Sequence, residues 1–176
     1  MKKIEIEIPE GKEAQWIGDT LKLVDIKKPV TERIKTFEDA CKELGNHPFV
    51  KEYALINPFT NDYSKDLVAY LKLRIIVAAL NEGWKPKFTE NESRYYPWFY
   101  LYTKEQYNKL IDEEKGRCVL RSGYGTYSYC GFMFCYADYD ASFSFTNFGS
   151  QLAFKTKELA EYAGKQFIDL YANFYL

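Results

Sequence analysis

Tyr95-Tyr96-Pro97-Trp98-Phe99-Tyr100-Leu101-Tyr102 is the stretch whose reading sets the fold class. Aromatic rings dominate it, which suits a pleated, half-buried surface, and no helical period runs through it. The reading is therefore a β-strand. Pro97 cannot donate to a ladder, so the strand belongs at a sheet edge or the stretch marks a strand start. Alternation places Tyr96, Trp98, Tyr100 and Tyr102 on one side, with Phe99 and Leu101 on the other. Arg94 flanks the strand at its start.

Toward the C-terminus, Thr103 and Gln106 have capping-box spacing and open a short helix that runs to Gly116. Cys118 to Arg121 reads as extended, and Gly123 and Gly125 allow a turn. Tyr127 and Tyr129 then alternate, followed by Phe132, Phe134 and Tyr136. The two sets differ in parity, so a one-residue bulge is needed between them, and Gly131 is the expected place. Ala137 to Asp140 reads as a turn. Phe143 and Phe145 alternate with small polar residues in a further strand, and Gln151 to Phe154 reads as a last short one. Short turns between sequential strands predict an antiparallel meander. Thr156 caps a final helix whose stripe of Leu159, Tyr162, Ala163, Phe167, Leu170, Tyr171 and Phe174 is set to cover that sheet.

Toward the N-terminus the dominant feature is Leu67 to Leu80, with Ser64 at its cap and Gly83 past its end. Its apolar residues go most of the way round the cylinder, so this helix is expected at the buried centre. A loop is expected over 57–63. Pro29 opens an earlier helix in which Ile34, Phe37, Cys41 and Leu44 recur at helical spacing, with Gly45 at the C-cap. His47, just beyond, is expected to donate to a free carbonyl of that helix end. Ile4, Ile6 and Ile8 alternate with Glu5 and Glu7, and Thr20 to Ile26 is again extended. With Trp16 to Asp19 as a turn, these two pieces predict an N-terminal hairpin.

The sum is an α+β chain: a hairpin, a buried central helix, a C-terminal antiparallel meander and an amphipathic C-terminal helix. Of the 32 aromatic residues, 23 lie from Tyr95 onward. That shift places any weak subdivision near 86–94. Neither half supplies a covered core alone, so residues 1–176 are read as one domain.

Composition removes several functions. Apolar residues at 47% and charged residues at 28% are globular values. A net charge of −1 builds no broad positive field, which argues against nucleic acid and against an anionic membrane surface. Leu67 to Leu80 is too short to span a bilayer and contains Lys72 and Arg74. No signal-peptide pattern opens the chain, so a cytoplasmic location is expected. Cys41, Cys118, Cys130 and Cys135 form no CxxC pair, and His47 is the only histidine, so they read as buried thiols and no metal is expected. Phosphate-loop, dinucleotide-binding and serine-hydrolase motifs are missing, and no cofactor is expected. Glu113-Glu114 and Asp138 with Asp140 read as solvated surface rather than as an acid–base pair. No residue is assigned a catalytic role.

The remaining signal is the Tyr/Trp side of the strand. Tyr96, Trp98 and Tyr100, with Arg94 at the edge and Tyr127 and Tyr129 nearby, form the candidate binding surface. Rings with a polar handle tolerate a half-wet setting and make interface anchors. The expected partner is another protein or a second copy of the chain. The competing reading lines a small-ligand or hydrolase-like pocket with the same rings, with Arg94 or Arg121 as its charged group. The opposing structural reading covers both faces of the strand and leaves no site.

Four stretches look familiar together: residues 31–40, 71–84, 95–100 and 152–167. They resemble a group of uncharacterised proteins of gut anaerobic bacteria and of their resident phages and mobile elements. The resemblance covers most of the chain. It implies a bacterial or prophage origin and brings no activity, ligand or functional residue with it.

Overall fold

The computed structural model describes residues 6–87, 89, 92–121, 130–139 and 150–176. The turn at Gly123 and Gly125, the Tyr127–Tyr129 segment, Asp140 and the strand expected around Phe143 and Phe145 lie outside them. The described residues form an α+β fold with one two-stranded and one three-stranded antiparallel sheet.

Strands β1 (Lys12–Ile17) and β2 (Thr20–Asp25) make the N-terminal hairpin. Its register pairs Trp16 with Leu21 and Ala14 with Leu23. The first strand is thus not the expected Ile4–Ile8 segment: Ile4 lies outside the described residues, and Ile6 to Ile8 are not in a strand. Gly18, at φ +62°, closes a two-residue loop, and such a loop pairs whatever immediately flanks it. Trp16 and Ile17, expected in the turn, are therefore in the strand.

The helix expected from Pro29 is two helices, α1 (Val30–Arg33) and α2 (Phe37–Leu44). Thr36 interrupts them because it caps α2. Its hydroxyl accepts from the Asp39 N–H at 3.1 Å, and the Asp39 carboxylate accepts from the Thr36 N–H at 3.0 Å. The His47 backbone N–H donates to the Leu44 carbonyl at the end of α2, at 3.2 Å, but its ring serves the next helix. It caps α3 (Pro48–Ile56), with Nδ1 accepting from the Phe49 N–H at 3.2 Å and Pro48 at the first helical position. A 3₁₀ turn, Asn57–Asp62, stands where a loop was expected.

Helix α4 (Lys65–Leu80) is the buried centre. Leu73, Ile75, Ile76 and Leu80 are fully buried, and the helix packs against α2, α3 and the last helix of the chain. It ends in two left-handed residues, Glu82 at φ +49° and Gly83 at φ +87°. Glu82 there bridges Lys155 at 3.1 Å and Arg33 at 2.6 Å, and Arg33 also pairs with Glu43.

The larger sheet runs β3 (Tyr95–Tyr102), β5 (Cys130–Tyr139), β4 (Val119–Arg121), with β5 central and β3 at an edge as Pro97 requires. Between β3 and β4, Thr103 caps α5 (Lys104–Lys109) as expected, but α6 (Asp112–Gly116) is separate. Leu110 turns extended, and Glu114 accepts from the Ile111 N–H at 3.2 Å to start the second helix. The bulge is not at Gly131, which pairs regularly with Tyr102 and Leu120. It lies where Trp98 faces Tyr136 and Phe99 faces Phe134, leaving Cys135 as the extra residue. Gly131 serves another purpose: a Cβ there would come within 2.9 Å of the Tyr107 ring on α5.

Gln151 to Phe154 is not a strand but a 3₁₀ turn, Ser150–Leu152, followed by one bridge from Phe154 to Tyr95. Thr156 caps α7 (Lys157–Gln166) through the Leu159 N–H at 3.3 Å. The final helix breaks at Phe167, and α8 (Ile168–Tyr175) follows. Helix α7 lies on β3 and β5, while α8 packs on both the sheet and α4. The shared core is aromatic: Phe99 stacks on Phe132 at 4.5 Å and meets Tyr171 at 5.0 Å.

Candidate functional site

Residues directly opposite each other in an antiparallel pair share a face, so the register sorts the sheet into two sides. Phe99 with Phe134, and Pro97 with Ala137, face α7 and α8. Trp98 with Tyr136, and Tyr100 with Met133, face the other way. The bulge reverses the parity of β5, so that Phe132 and the half-buried Phe134 face the helices while Tyr136 joins the outer face. Tyr136 was expected with the phenylalanines. The small Ala137, which can follow a bulge into the tight space beneath α7, is the signal that would have found it.

On the outer face Trp98 and Tyr136 lie nearly parallel, 11° apart, with ring centroids 6.1 Å from each other. Trp98 is 39% exposed, Tyr136 46% and Tyr100 51%. Tyr100 lies 5.7 Å from Tyr102, and the nearby Cys135 thiol raises the phenol's pKa. Desolvation raises that of Tyr102. Three exposed rings and a thiol thus occupy a continuous strip across β3 and β5.

The other sequence-derived positions fall elsewhere. Tyr96 shares the outer side but is buried, and Arg94 is buried as well. Both are engaged within the chain, so neither can serve as an open contact. Alternation tells which side a residue takes, not what covers it, and along β3 the cover thins from Tyr96 to Tyr100. Leu101, expected in the core beside Phe99, is 57% exposed on the edge strand, although its partner Phe132 is buried. Tyr127 and Tyr129 lie outside the described residues. Arg121 ends β4.

A groove of 520 Å³ adjoins the strip, running from Met133, Cys135 and Tyr136 to Arg117 and to Glu161, Lys165 and Ile168 of the C-terminal helices. Lys165 lies 5.2 Å over the Phe134 ring and 3.8 Å from the Glu161 carboxylate, so the groove carries both signs of charge. A second cleft, of 270 Å³, opens away from the sheet between the ends of α2 and α4 and the start of α3. Phe49, Val77, Trp84, Lys85 and His47 line it.

The perturbed titrating groups have structural causes. Thr36 lowers the Asp39 pKa, and Lys155 lowers that of Glu82. Burial raises the pKa of Cys41, Cys118, Tyr171 and Tyr175. Among the described residues, no three His, Cys, Asp or Glu side chains converge on a point that could hold a metal ion. No described helix is long and apolar enough to cross a membrane.

The fold and its site define an α+β protein with an open aromatic strip beside a sheet edge. No protein-family model matches the sequence, and neither a curated protein nor a solved structure matches the chain.

Proposed function

We propose that this chain is a non-enzymatic interaction protein, an accessory of phage or mobile-element type, that binds protein through the outer face of its larger sheet. The observation that carries the reading is the exposed strip of Trp98, Tyr136 and Tyr100 on and beside an edge strand. Tryptophan and tyrosine supply large, stiff contact area with a polar handle, and they dominate interface hot spots. Arg117, Glu161 and Lys165 beside the strip suit the polar rim of such a contact.

Trp98→Ala tests it. Because the ring is part-exposed at an edge, its loss should cost less than the roughly 3–5 kcal/mol of a core Trp. Binding to a partner or to a second copy should weaken by about 2 kcal/mol or more. Association unchanged in both Trp98→Ala and Tyr136→Ala, in chains that remain folded, would remove the strip as a binding surface.

A small-ligand reading draws on the second cleft instead, where Trp84 and Phe49 offer apolar walls and Lys85 a cation. Saturable quenching of Trp84 emission by a small aromatic carboxylate such as benzoate, retained in Trp98→Ala and lost in Lys85→Ala, would favour it.

A further inference from the structure

The N-terminal hairpin is underpartnered. No residue from Lys12 to Asp25 is buried, and the hairpin's packing is chiefly of its two strands on each other. An isolated two-stranded hairpin is marginally stable in water, and it normally needs another strand or a packed face. This one carries such a face. The register places Ala14, Trp16, Leu21 and Leu23 on a single side, with the Lys12–Asp25 ion pair at its open end. Trp16 is 71% exposed and Leu23 41%. The opposite side is mostly polar, with Glu13, Gln15, Thr20 and Lys22 beside Ile17 and Val24. The hairpin therefore has a mostly polar face and a mostly apolar one, and the described residues bury neither.

Its attachment has the form of an arm. The Ile26 N–H closes on the Gly11 carbonyl at 2.8 Å, and Arg33 Nε donates to the Lys28 carbonyl at 2.9 Å, so a short linker joins the hairpin to an anchored base at buried Val30.

We infer that the hairpin is a docking arm, and that its apolar face seats on the Trp98–Tyr100–Tyr136 strip of a second copy, which returns its own arm. The inference rests on the interaction reading above and names the partner. Area selects a second copy over an unrelated protein. The apolar face of two six-residue strands offers on the order of 350 Å², so one arm on one strip buries about 700 Å², well short of the roughly 1,200 Å² at which standard interfaces begin. A reciprocal exchange doubles this to about 1,400 Å², within the standard range, and a two-fold axis provides that doubling without any further surface. Charge permits it. The chain carries −1, and residues 6–28 hold five acids against four bases, so two copies meet with little repulsion.

The experiment is the mass of the full chain in solution, by light scattering or sedimentation equilibrium over a micromolar concentration series, for the native sequence, Trp16→Ser, Trp16→Phe and Trp98→Ala. The native chain and Trp16→Phe should be dimers. Trp16→Ser and Trp98→Ala should dissociate with at least a tenfold weaker constant, and Trp16→Ser should keep its melting temperature when measured below the dimer's dissociation constant. A native chain that stays monomeric at tens of micromolar overturns the inference, as does a dimer that withstands Trp16→Ser. A dimer lost in Trp98→Ala but kept in Trp16→Ser also rejects the arm while leaving the strip in place as a contact surface. A dimer lost in Trp16→Ser but kept in Trp98→Ala rejects the strip as the arm's seat.

Discussion

Gly164, inside α7, sets two opposing effects against each other on substitution by alanine. An interior helical Gly→Ala change gains about 1 kcal/mol of helix propensity. Here, however, the added Cβ would lie 2.7 Å from Phe134 Cε2 and 2.8 Å from Pro97 Cβ. Carbon atoms prefer about 3.5–4.0 Å, so neighbours on two different strands must each yield by roughly 1 Å. One of them is a proline ring fixed to the β3 backbone, and the other is a half-buried ring that meets Phe99 at 6.0 Å. Over-packing of this kind costs about 1–3 kcal/mol, and contact with the fixed Pro97 ring puts it at the upper end. The expected net loss is about 1–2 kcal/mol, despite the better helix former. Urea unfolding reads it directly: with a slope of about 2 kcal/mol/M, the midpoint should fall by about 0.5–1 M at unchanged slope. Adding Phe134→Leu should recover part of that loss, with a coupling of at least about 0.5 kcal/mol. Phe134 is also the last helix-facing residue before the bulge that turns Tyr136 outward, so Gly164→Ala should weaken strip-mediated association as well. A midpoint that rises, or a double variant that is merely additive, would refute the idea that α7 is pressed onto the sheet at this point.

Ile75→Ala removes a fully buried side chain at the centre of α4 and should cost about 2–5 kcal/mol in denaturant unfolding, whereas half-buried Leu71→Ala should cost less. An equal or reversed order would mean that the helix is rotated about its axis. The Tyr171 hydroxyl is buried without a hydrogen-bond partner, so Tyr171→Phe should be neutral or stabilising by about 1 kcal/mol, and a loss above about 1 kcal/mol would reveal a partner. Burial also pushes the Tyr175 phenol up to about 12 and raises that of Tyr171 further. Both phenols bind their protons more tightly when folded, so stability should hold below the ordinary value of 10 and fall as the pH rises from there. Glu82 runs the opposite way. Its carboxyl is held below the ordinary range, first by Lys155 and then by Arg33, so its contribution is present above that range and lost as the pH falls through the depressed value. The pair is well exposed, so the effect should be small, and Glu82→Gln should flatten the acid limb of a stability–pH curve; an unchanged limb would show that the network contributes nothing.

Much of the architecture follows from signals that act within a few residues. The edge strand of Tyr95–Tyr102, the caps at Thr103 and Thr156, the left-handed stop at Gly83 and the burial of α4 all rest on backbone geometry or on an apolar pattern that permits one solution. Thr36 belongs with them. Its capping box with Asp39 splits a helix that the apolar period alone joins, and the box is written plainly in the sequence. His47 before Pro48 is equally a helix start rather than a helix end.

The sequence alone therefore determined the buried α4, the edge strand β3 and which side of β3 each ring takes, but not the first strand of the hairpin, the split of the helix after Pro29, or the run of β5 through Ala137–Tyr139 where a turn was expected. Only the tertiary structure decided which rings are open. Tyr96 and Tyr100 occupy equivalent positions in the alternation, yet one is 3% and the other 51% exposed, because exposure depends on elements distant in sequence. The place of the bulge was decided in the same way. Gly131 offered freedom of conformation, but the register breaks at Cys135, where Ala137 must follow Pro97 into the space that Gly164 leaves beneath α7. Periodicity is a property of one strand and burial is a property of two packed surfaces, so the first can orient a side chain while only the second can cover it.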